Sequence, residues 1–166
     1  MNRKQKSKIK VAIVCSPGGH LTQALSVLAA FDKCDSFLIL QKFPYVSEEK
    51  FDGINKVYFL KNYFNYSMWV GYIISVLVSF FSIFTIFYKE RPHIVFSTGA
   101  EIGLPAFFLA KLIFGAKTIF LESITRTHTP SRAAKALYPL SDLFIVQSEK
   151  LLKRFGKKTV FAGSLL

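Results

Sequence analysis

Acidic side chains are scarce. The 166-residue chain carries 10 Asp and Glu against 22 Lys and Arg, a formal net charge of +12. That balance favours an anionic partner: nucleic acid, an anionic membrane surface or a phosphorylated substrate. Cysteine is nearly absent. Cys15 and Cys34 are too few, and too close to apolar segments, for a disulfide framework, and their spacing suits no zinc site. Free thiols in a reducing compartment are expected. Missing motifs exclude further chemistries. There is no Gly-Lys-Ser/Thr ending of a Walker loop, no His-Glu zinc motif, no Cys-x-x-Cys pair and no Gly-x-Ser-x-Gly elbow. No metal and no cofactor are therefore expected. The basic residues are scattered among apolar segments, without the aromatic stacking platform of a nucleic-acid binder, so nucleic acid leaves the list of partners. Internal repeats and low-complexity segments are also lacking. The first ten residues are basic, but the apolar run after them is broken by Pro17-Gly18-Gly19, so no export signal is expected. Residues 1–8 read either as a solvated tail or as a segment touching anionic headgroups.

What is abundant is apolar surface. Half of the residues are hydrophobic and 18 are Phe, which suggests contact with lipid or with a large partner. The length suits one domain, residues 9–166. Short, solidly apolar runs at 11–15, 36–41, 56–60, 94–97, 117–122, 143–147 and 159–162 read as strands. Between them, helical spacing appears from residue 21 to 28, across the charge-free run to residue 88, up to Gly115, over 131–140 and over 149–155. Pro130 is expected in a first helical turn, where its missing N–H is harmless. Residues 44–51 read as a loop or short helix. Solidly apolar strands alternating with helices predict an α/β, Rossmann-like, doubly wound parallel sheet covered on both faces. Ligands of such sheets sit at the carboxyl ends of the strands, where the loops after residues 15, 97 and 122 could line one crevice.

The first of these loops is Ser16-Pro17-Gly18-Gly19-His20, between a strand and a helix. A loop ending at a helix N-terminus offers unpaired N–H groups and the positive end of the dipole, and two glycines let a phosphate approach the backbone. The same residues also fit an ordinary βα turn. They do not make a good dinucleotide fingerprint. A third glycine is missing, and the second strand ends in Leu40-Gln41-Lys42 without the acidic residue that holds a ribose.

From Asn62 to Tyr88 no residue is charged. Residues 68–88 would span roughly 31 Å as a helix, enough to cross a bilayer. Strands on both sides of this helix should share one sheet, however, which forbids crossing. One helical stripe holds Ser67, Gly71, Ser75, Ser79, Ser82 and Thr85, and the opposite one Trp69, Ile73, Val76, Phe80, Phe84 and Phe87. The expectation is that the helix at about 67–88 docks its small face on protein. Its bulky face would dip into one leaflet through Trp69, Ile73, Phe80, Phe84 and Phe87, with Lys61, Lys89 and Arg91 at headgroup level. A buried core helix is the other reading.

Residues 122–147, Glu-Ser-Ile-Thr-Arg126 through Leu-Tyr138 to Asp142-Leu-Phe-Ile-Val-Gln147, resemble the signature of one family. It is the membrane-anchor subunit of the split N-acetylglucosaminyltransferase that acts on dolichol-diphosphate-GlcNAc. Its bacterial relatives are accessory subunits of capsule and exopolysaccharide glycosyltransferases. Both are similar to the N-terminal half of MurG-type GT-B transferases. The Ser16–His20 and Ser97-Thr98-Gly99 loops fall at matching places in the strand order, so the resemblance runs from about Ile9 to the end. Eukaryotic members carry an N-terminal transmembrane helix and usually have Trp after the Val-Gln pair. This chain has a basic tail and Ser148, which points to the bacterial branch.

The resemblance implies the N-terminal domain of a GT-B enzyme and a division of labour. A partner chain would bind the UDP-sugar. This chain would present a polyprenyl-diphosphate-linked acceptor at the cytoplasmic face of the membrane, as one subunit of an inverting transferase that is inactive without its partner. Gly18 and Gly19 would cradle the acceptor diphosphate. His20 would bind the diphosphate, act as base for the acceptor hydroxyl, or only shape the loop. Ser97, Thr98 and Gly99 would form a second wall, donating to phosphate or sugar hydroxyls. Glu122 would be catalytic, orient a sugar or a neighbouring loop, or pair with Arg126; Arg126 would clamp phosphate or sit in a surface salt bridge. His93 and His128 are taken as structural. The C-terminal tail, with Phe161, Leu165 and Leu166, would dock the partner or simply end as a strand. The alternative is a non-catalytic membrane scaffold that only recruits and activates a soluble glycosyltransferase. A self-sufficient Rossmann enzyme is disfavoured by the missing ribose carboxylate.

Overall fold

The computed structural model describes residues 8–43, 51–61, 68–99 and 101–165, apart from the side chains of 68–73. Seven strands form one sheet: β1 (Lys10–Cys15), β2 (Asp35–Gln41), β3 (Lys56–Leu60), β4 (Ile94–Ser97), β5 (Lys117–Leu121), β6 (Leu143–Val146) and β7 (Thr159–Phe161). Their order is β3-β2-β1-β4-β5-β6-β7 and every neighbouring pair is parallel. The helices are α1 (Gly19–Ser26), α2 (Met68–Glu90), α3 (Gly103–Leu109), α4 (Arg132–Leu137) and α5 (Glu149–Leu152). This is the α/β doubly wound sheet that the apolar strands predict.

Strand alternation sends side chains to two cores. Ala12 and Val14 of β1 point to the face covered by α2, α3 and α4, together with Phe87, Phe107, Phe120 and Phe144. Val11, Ile13 and Cys15 point to the opposite face, with Ala24 of α1, Leu38, Leu40 and Phe96. Both cysteines are free, and burial pushes the Cys15 thiol up to about 12, which leaves it unreactive. On this second face an apolar cavity of about 270 Å³ stays open. Ile119, Leu121, Leu143 and Ile145 floor it, Val27, Ala30 and Phe31 wall one side, and Ala162, Gly163 and Leu165 wall the other.

Local chemistry sets the boundaries. Ser131 caps α4, its Oγ accepting the Ala134 N–H at 2.9 Å, so Pro130 stands before the cap rather than in the first turn. After α3 the helix loosens into a π-helical turn, Ala110–Phe114, and stops at Gly115 with φ +65°, a left-handed stop that suits glycine.

α2 links β3 to β4 within one parallel sheet, so both of its ends lie on one side of any membrane. Among the described residues no helix is long and apolar enough to cross one. Ser75 and Ser79 are buried, as are Ile83, Ile86 and Phe87. The outward stripe is Leu77, Phe81, Phe84 and Tyr88, with Phe81 66% exposed. The bulky face expected to meet lipid is therefore corrected by roughly a quarter turn. Phe87 is wholly buried, edge-on to Phe114 at 5.7 Å. Phe80 is half-buried beside Phe108 of α3, at 6.2 Å. Only Phe84 of the expected set with a described side chain is exposed. Packing against α3 causes the rotation, because that helix covers the Phe80 side. The side chains of Trp69 and Ile73 lie outside the described residues, as do Ser67 and residues 44–50.

Glu90 closes α2 at the amino ends of the strands. Only 4% exposed, its carboxylate accepts from Lys10 Nζ at 2.9 Å, Lys56 Nζ at 2.8 Å and the Tyr58 hydroxyl at 2.6 Å. The hydrogen bonds from Lys56 and Tyr58, with Lys10 behind them, pull its pKa down to about 2 despite burial. A depressed carboxylate pKa stabilises the fold above the unfolded-state value near 4.5, and this stability is lost as pH falls from there towards about 2. Both lysines are partly solvated, which screens the interaction. Glu90→Gln is expected to cost on the order of 2 kcal/mol at neutral pH and progressively less below about pH 4. Urea unfolding of the two chains across that range measures the convergence.

Candidate functional site

The sheet order reverses between β1 and β4, which are hydrogen-bonded neighbours. In doubly wound sheets the crevice opens at the carboxyl ends of such a pair. Two of the singled-out loops follow these two strands. Gly18 caps α1 with φ +81°, ψ −142° and no side-chain capping bond. The helix start is thus left to backbone N–H groups. A Cβ placed on Gly18 or Gly19 would meet nothing within 4 Å, and both glycines are exposed. At Gly18 the requirement for glycine is conformational.

The structure brings His20 against the second loop. Its Nδ1 donates to the Thr98 carbonyl at 2.8 Å, and the Thr98 hydroxyl donates back to the His20 carbonyl at 2.8 Å. Because a carbonyl only accepts, Nδ1 carries a proton in this contact. In the neutral ring Nε2 then holds the lone pair. Gly99, at φ +117°, lies under the ring: a Cβ there would come within 2.9 Å of His20 Cε1. His20, Thr98 and Gly99 form one reciprocal clasp across the switch point.

Three expected roles change. Ser97 and Thr98 are buried, and each hydroxyl spends its only proton inside the protein: Ser97 on the Gly99 carbonyl at 3.2 Å, Thr98 on His20. Neither is a donor for phosphate or sugar. Glu122 is 1% exposed. Its two oxygens accept from the N–H groups of Ser123 and Ser131, each at 2.9 Å. It closes the loop between β5 and α4, which corrects the catalytic and Arg126-paired expectations and leaves the loop-orienting one. Held at 1% exposure by backbone donors on both oxygens, the carboxylate is turned inward to the loop rather than out to the crevice. Arg126 is exposed in that loop, its backbone N–H bonded to the Ser123 carbonyl at 2.9 Å. Its guanidinium makes no ion pair among the described residues.

The other histidines hold structure together. His93 Nδ1 accepts the Lys10 N–H at 3.0 Å, and His128 bridges Thr127 and Lys150. At the tail, Phe161 is exposed, Leu165 is half-buried against the second core, and Leu166 lies outside the described residues. Two buried side chains escaped the sequence: Gln23 of α1 and the Gln41 amide at the end of β2. Gln41 Nε2 is buried with no hydrogen-bond partner among the described residues. A glutamine inside an apolar strand is the signal that could have found it. Among the described residues no group of three or more His, Cys, Asp or Glu could hold a metal ion.

The family profile described as "Oligosaccharide biosynthesis protein Alg14 like" matches residues 11–165. The UDP-N-acetylglucosamine transferase subunit ALG14 of Homo sapiens is 24% identical over 184 residues, covering 97% of this chain and 85% of that protein. The Candida albicans protein of the same name is 34% identical over 74 residues, covering 42% of this chain and 34% of its own. Among solved structures, MurG of Acinetobacter baumannii superposes with a TM-score of 0.67 at 15% identity, covering 94% of this chain and 44% of that one. The UDP-N-acetylglucosamine 2-epimerase of Rickettsia bellii superposes with a TM-score of 0.71 at 18% identity, covering 95% and 45%. The chain thus spans under half the length of these structures, and its likeness to them is one of fold.

Proposed function

Because the chain belongs to the Alg14-like family of oligosaccharide biosynthesis proteins, we propose that it is the acceptor-binding, membrane-associating subunit of a two-chain glycosyltransferase. The reaction moves a sugar from a UDP-sugar, UDP-N-acetylglucosamine by analogy with the relatives' names, to a polyprenyl-diphosphate-linked saccharide. The observation that carries this reading is the clasp of His20 with Thr98 and Gly99 beside two open glycines at the sheet's switch point. Gly18 and Gly19 receive the acceptor diphosphate, with Arg126 at the rim of the crevice. His20 Nε2 takes the proton of the acceptor hydroxyl as that oxygen attacks the sugar's anomeric carbon and UDP leaves, an inverting displacement. Thr98 and Gly99 hold the imidazole rather than touch the sugar.

The partner supplies the UDP-sugar site. It seats on the tail at exposed Phe161 and half-buried Leu165, beside the apolar cavity over β5 and β6; Leu166, outside the described residues, belongs to the same proposal. The cavity lies on the sheet face opposite α2 and α3, so a lipid-facing α2 leaves it open to a soluble chain. Membrane contact on the cytoplasmic face runs through the outward stripe of α2. The capsule and exopolysaccharide branch is part of the same proposal. Ser148, at the position after the Val-Gln pair, supports it; its hydroxyl donates to the Thr127 carbonyl at 2.8 Å.

Co-expression with a candidate UDP-sugar-binding chain, followed by transfer assays on membranes, tests the reading. Transfer by the pair and by neither chain alone is expected. Activity of the single chain would overturn the two-chain scheme. The scaffold alternative draws on Glu122 and Ser97, whose polar atoms are spent within the protein.

A further inference from the structure

Two buried glutamines join the C-terminal tail to the glycine loop. Gln147 follows β6 and Gln23 lies in α1. The Leu165 N–H donates to Gln147 Oε1 at 3.1 Å. Gln147 Nε2 donates to Gln23 Oε1 and to the Glu122 carbonyl, both at 2.9 Å. Gln23 Oε1 also accepts the Ile124 N–H at 3.0 Å, and Gln23 Nε2 donates to the Gly19 carbonyl at 3.1 Å. The amide orientations are dictated by their partners. The Gly19 and Glu122 carbonyls only accept, and the Leu165 and Ile124 N–H groups only donate. An unbroken line of bonds therefore runs from Leu165 through Gln147 and Gln23 to Gly19, with a branch to the loop that Glu122 closes.

We propose that Gln23 and Gln147 are positioning residues for transfer: they hold Gly19, and with it His20, in register with the C-terminal tail, so that a partner seated on the tail sets the acceptor loop. This rests on the acceptor-site reading given above. Breaking one link strands buried polar atoms on the next, so the line favours being wholly made or wholly broken. Tail order and loop order are then two readouts of one equilibrium. By linkage, partner binding and acceptor binding each raise the affinity for the other.

Glutamate variants cut the line at chosen points. Gln23→Glu keeps acceptors for Ile124 and Gln147 but sets a carboxylate oxygen against the Gly19 carbonyl. Gln147→Glu keeps the acceptor for Leu165 but loses both donors. Deleting residues 164–166 opens the tail end and leaves the fully buried core side chains in place, which serves if a glutamate variant fails to fold. Amide exchange of residues 16–23 is measured by mass spectrometry in each full chain and in the truncated one, each in lipid nanodiscs. Transfer kinetics are measured with the partner. Faster exchange at 16–23 is expected in all three, the truncation included. In the two glutamate variants, which leave the tail's docking side chains in place, the KM for the lipid-diphosphate acceptor should rise about tenfold, the worth of one buried hydrogen bond, with the KM for the UDP-sugar unchanged; the truncated chain is read by exchange alone. Unchanged exchange at 16–23 in Gln147→Glu and in the truncated chain would overturn the proposal, as would equal losses for both substrates. Inorganic pyrophosphate added to the native chain separates the two readings. If it fails to slow exchange at 16–23, the acceptor site is wrong, while the link between tail and loop still stands or falls on the variants.

Discussion

His20→Asn is expected to lower sugar transfer by the assembled pair about 10²–10⁴-fold, the range of a lost general base, with partner recruitment and membrane binding unchanged. The substitution is chosen from the geometry. The Asn amide nitrogen can take the place of Nδ1 and donate to the Thr98 carbonyl, which His20 reaches at 2.8 Å, so the clasp survives. What disappears is the Nε2 lone pair. A second variant reaches the same ring from outside. In Gly99→Ala the new Cβ would stand 2.9 Å from Cε1 and 3.3 Å from Nδ1, at a backbone φ of +117°. The ring must then swing off the Thr98 carbonyl, and the strain costs about 1–3 kcal/mol. Activity should fall in this variant too, although His20 keeps its chemistry. Single-turnover transfer on membranes, with both chains and the acceptor in excess, reads the chemical step directly. Transfer at the native rate by His20→Asn would overturn the base role and leave the imidazole only shaping the loop.

The clasp was half legible in the sequence. Strand-loop-helix patterning identified Ser16–His20 and Ser97–Gly99 as loops at the carboxyl ends of strands, since solid apolar runs bounded by Pro and Gly mark buried parallel strands. That β1 and β4 are neighbours is a fact of strand order, which no local pattern encodes. The direction of each hydroxyl was equally hidden. Ser and Thr beside a glycine look like ligand donors, and only the positions of the Gly99 and His20 carbonyls show their protons already used. Glu122 failed for the same reason. A lone carboxylate after a strand looks chemical, but its partners are two backbone N–H groups, those of Ser123 and Ser131. Gln23 and Gln147 left a fainter trace: each is an uncharged amide at a position that the surrounding apolar pattern assigns to the interior. α2 shows a further limit. Its composition announced an unusual environment, but with no charge on either face periodicity could not say which face packs. The neighbouring α3, through Phe108, and the π-helical turn after it, through Phe114, made that choice.

Phe81→Asp combined with Ile113→Asp is expected to release the chain from lipid vesicles, with a loss in partition of about 10³-fold. The figure takes roughly 2 kcal/mol for withdrawing each large apolar side chain from lipid. α2 and the helix that follows β4 present one continuous apolar surface. Leu77, Phe81 and Tyr88 stand out from α2, and Phe108, Leu112 and Ile113 from its neighbour, with Ile113 52% exposed. An exposed apolar area of this kind, on a chain with net charge +12, fits an anionic bilayer surface better than water. Cations rim it. Lys89 and Arg91 follow Tyr88, and the Arg91 guanidinium lies 4.8 Å from the Tyr88 ring centre. Lys111 adds its stem at the other edge, with its ammonium on Asp142. Two controls separate insertion from folding. Phe87→Leu thins the core at a wholly buried position, so it should lower thermal stability and leave partition nearly unchanged. Replacing phosphatidylglycerol by phosphatidylcholine in the vesicles should weaken binding of the native chain, and added salt should do so only where the anionic lipid is present. Undiminished flotation of the double variant would place the bilayer contact elsewhere and return the α2 stripe to a protein interface.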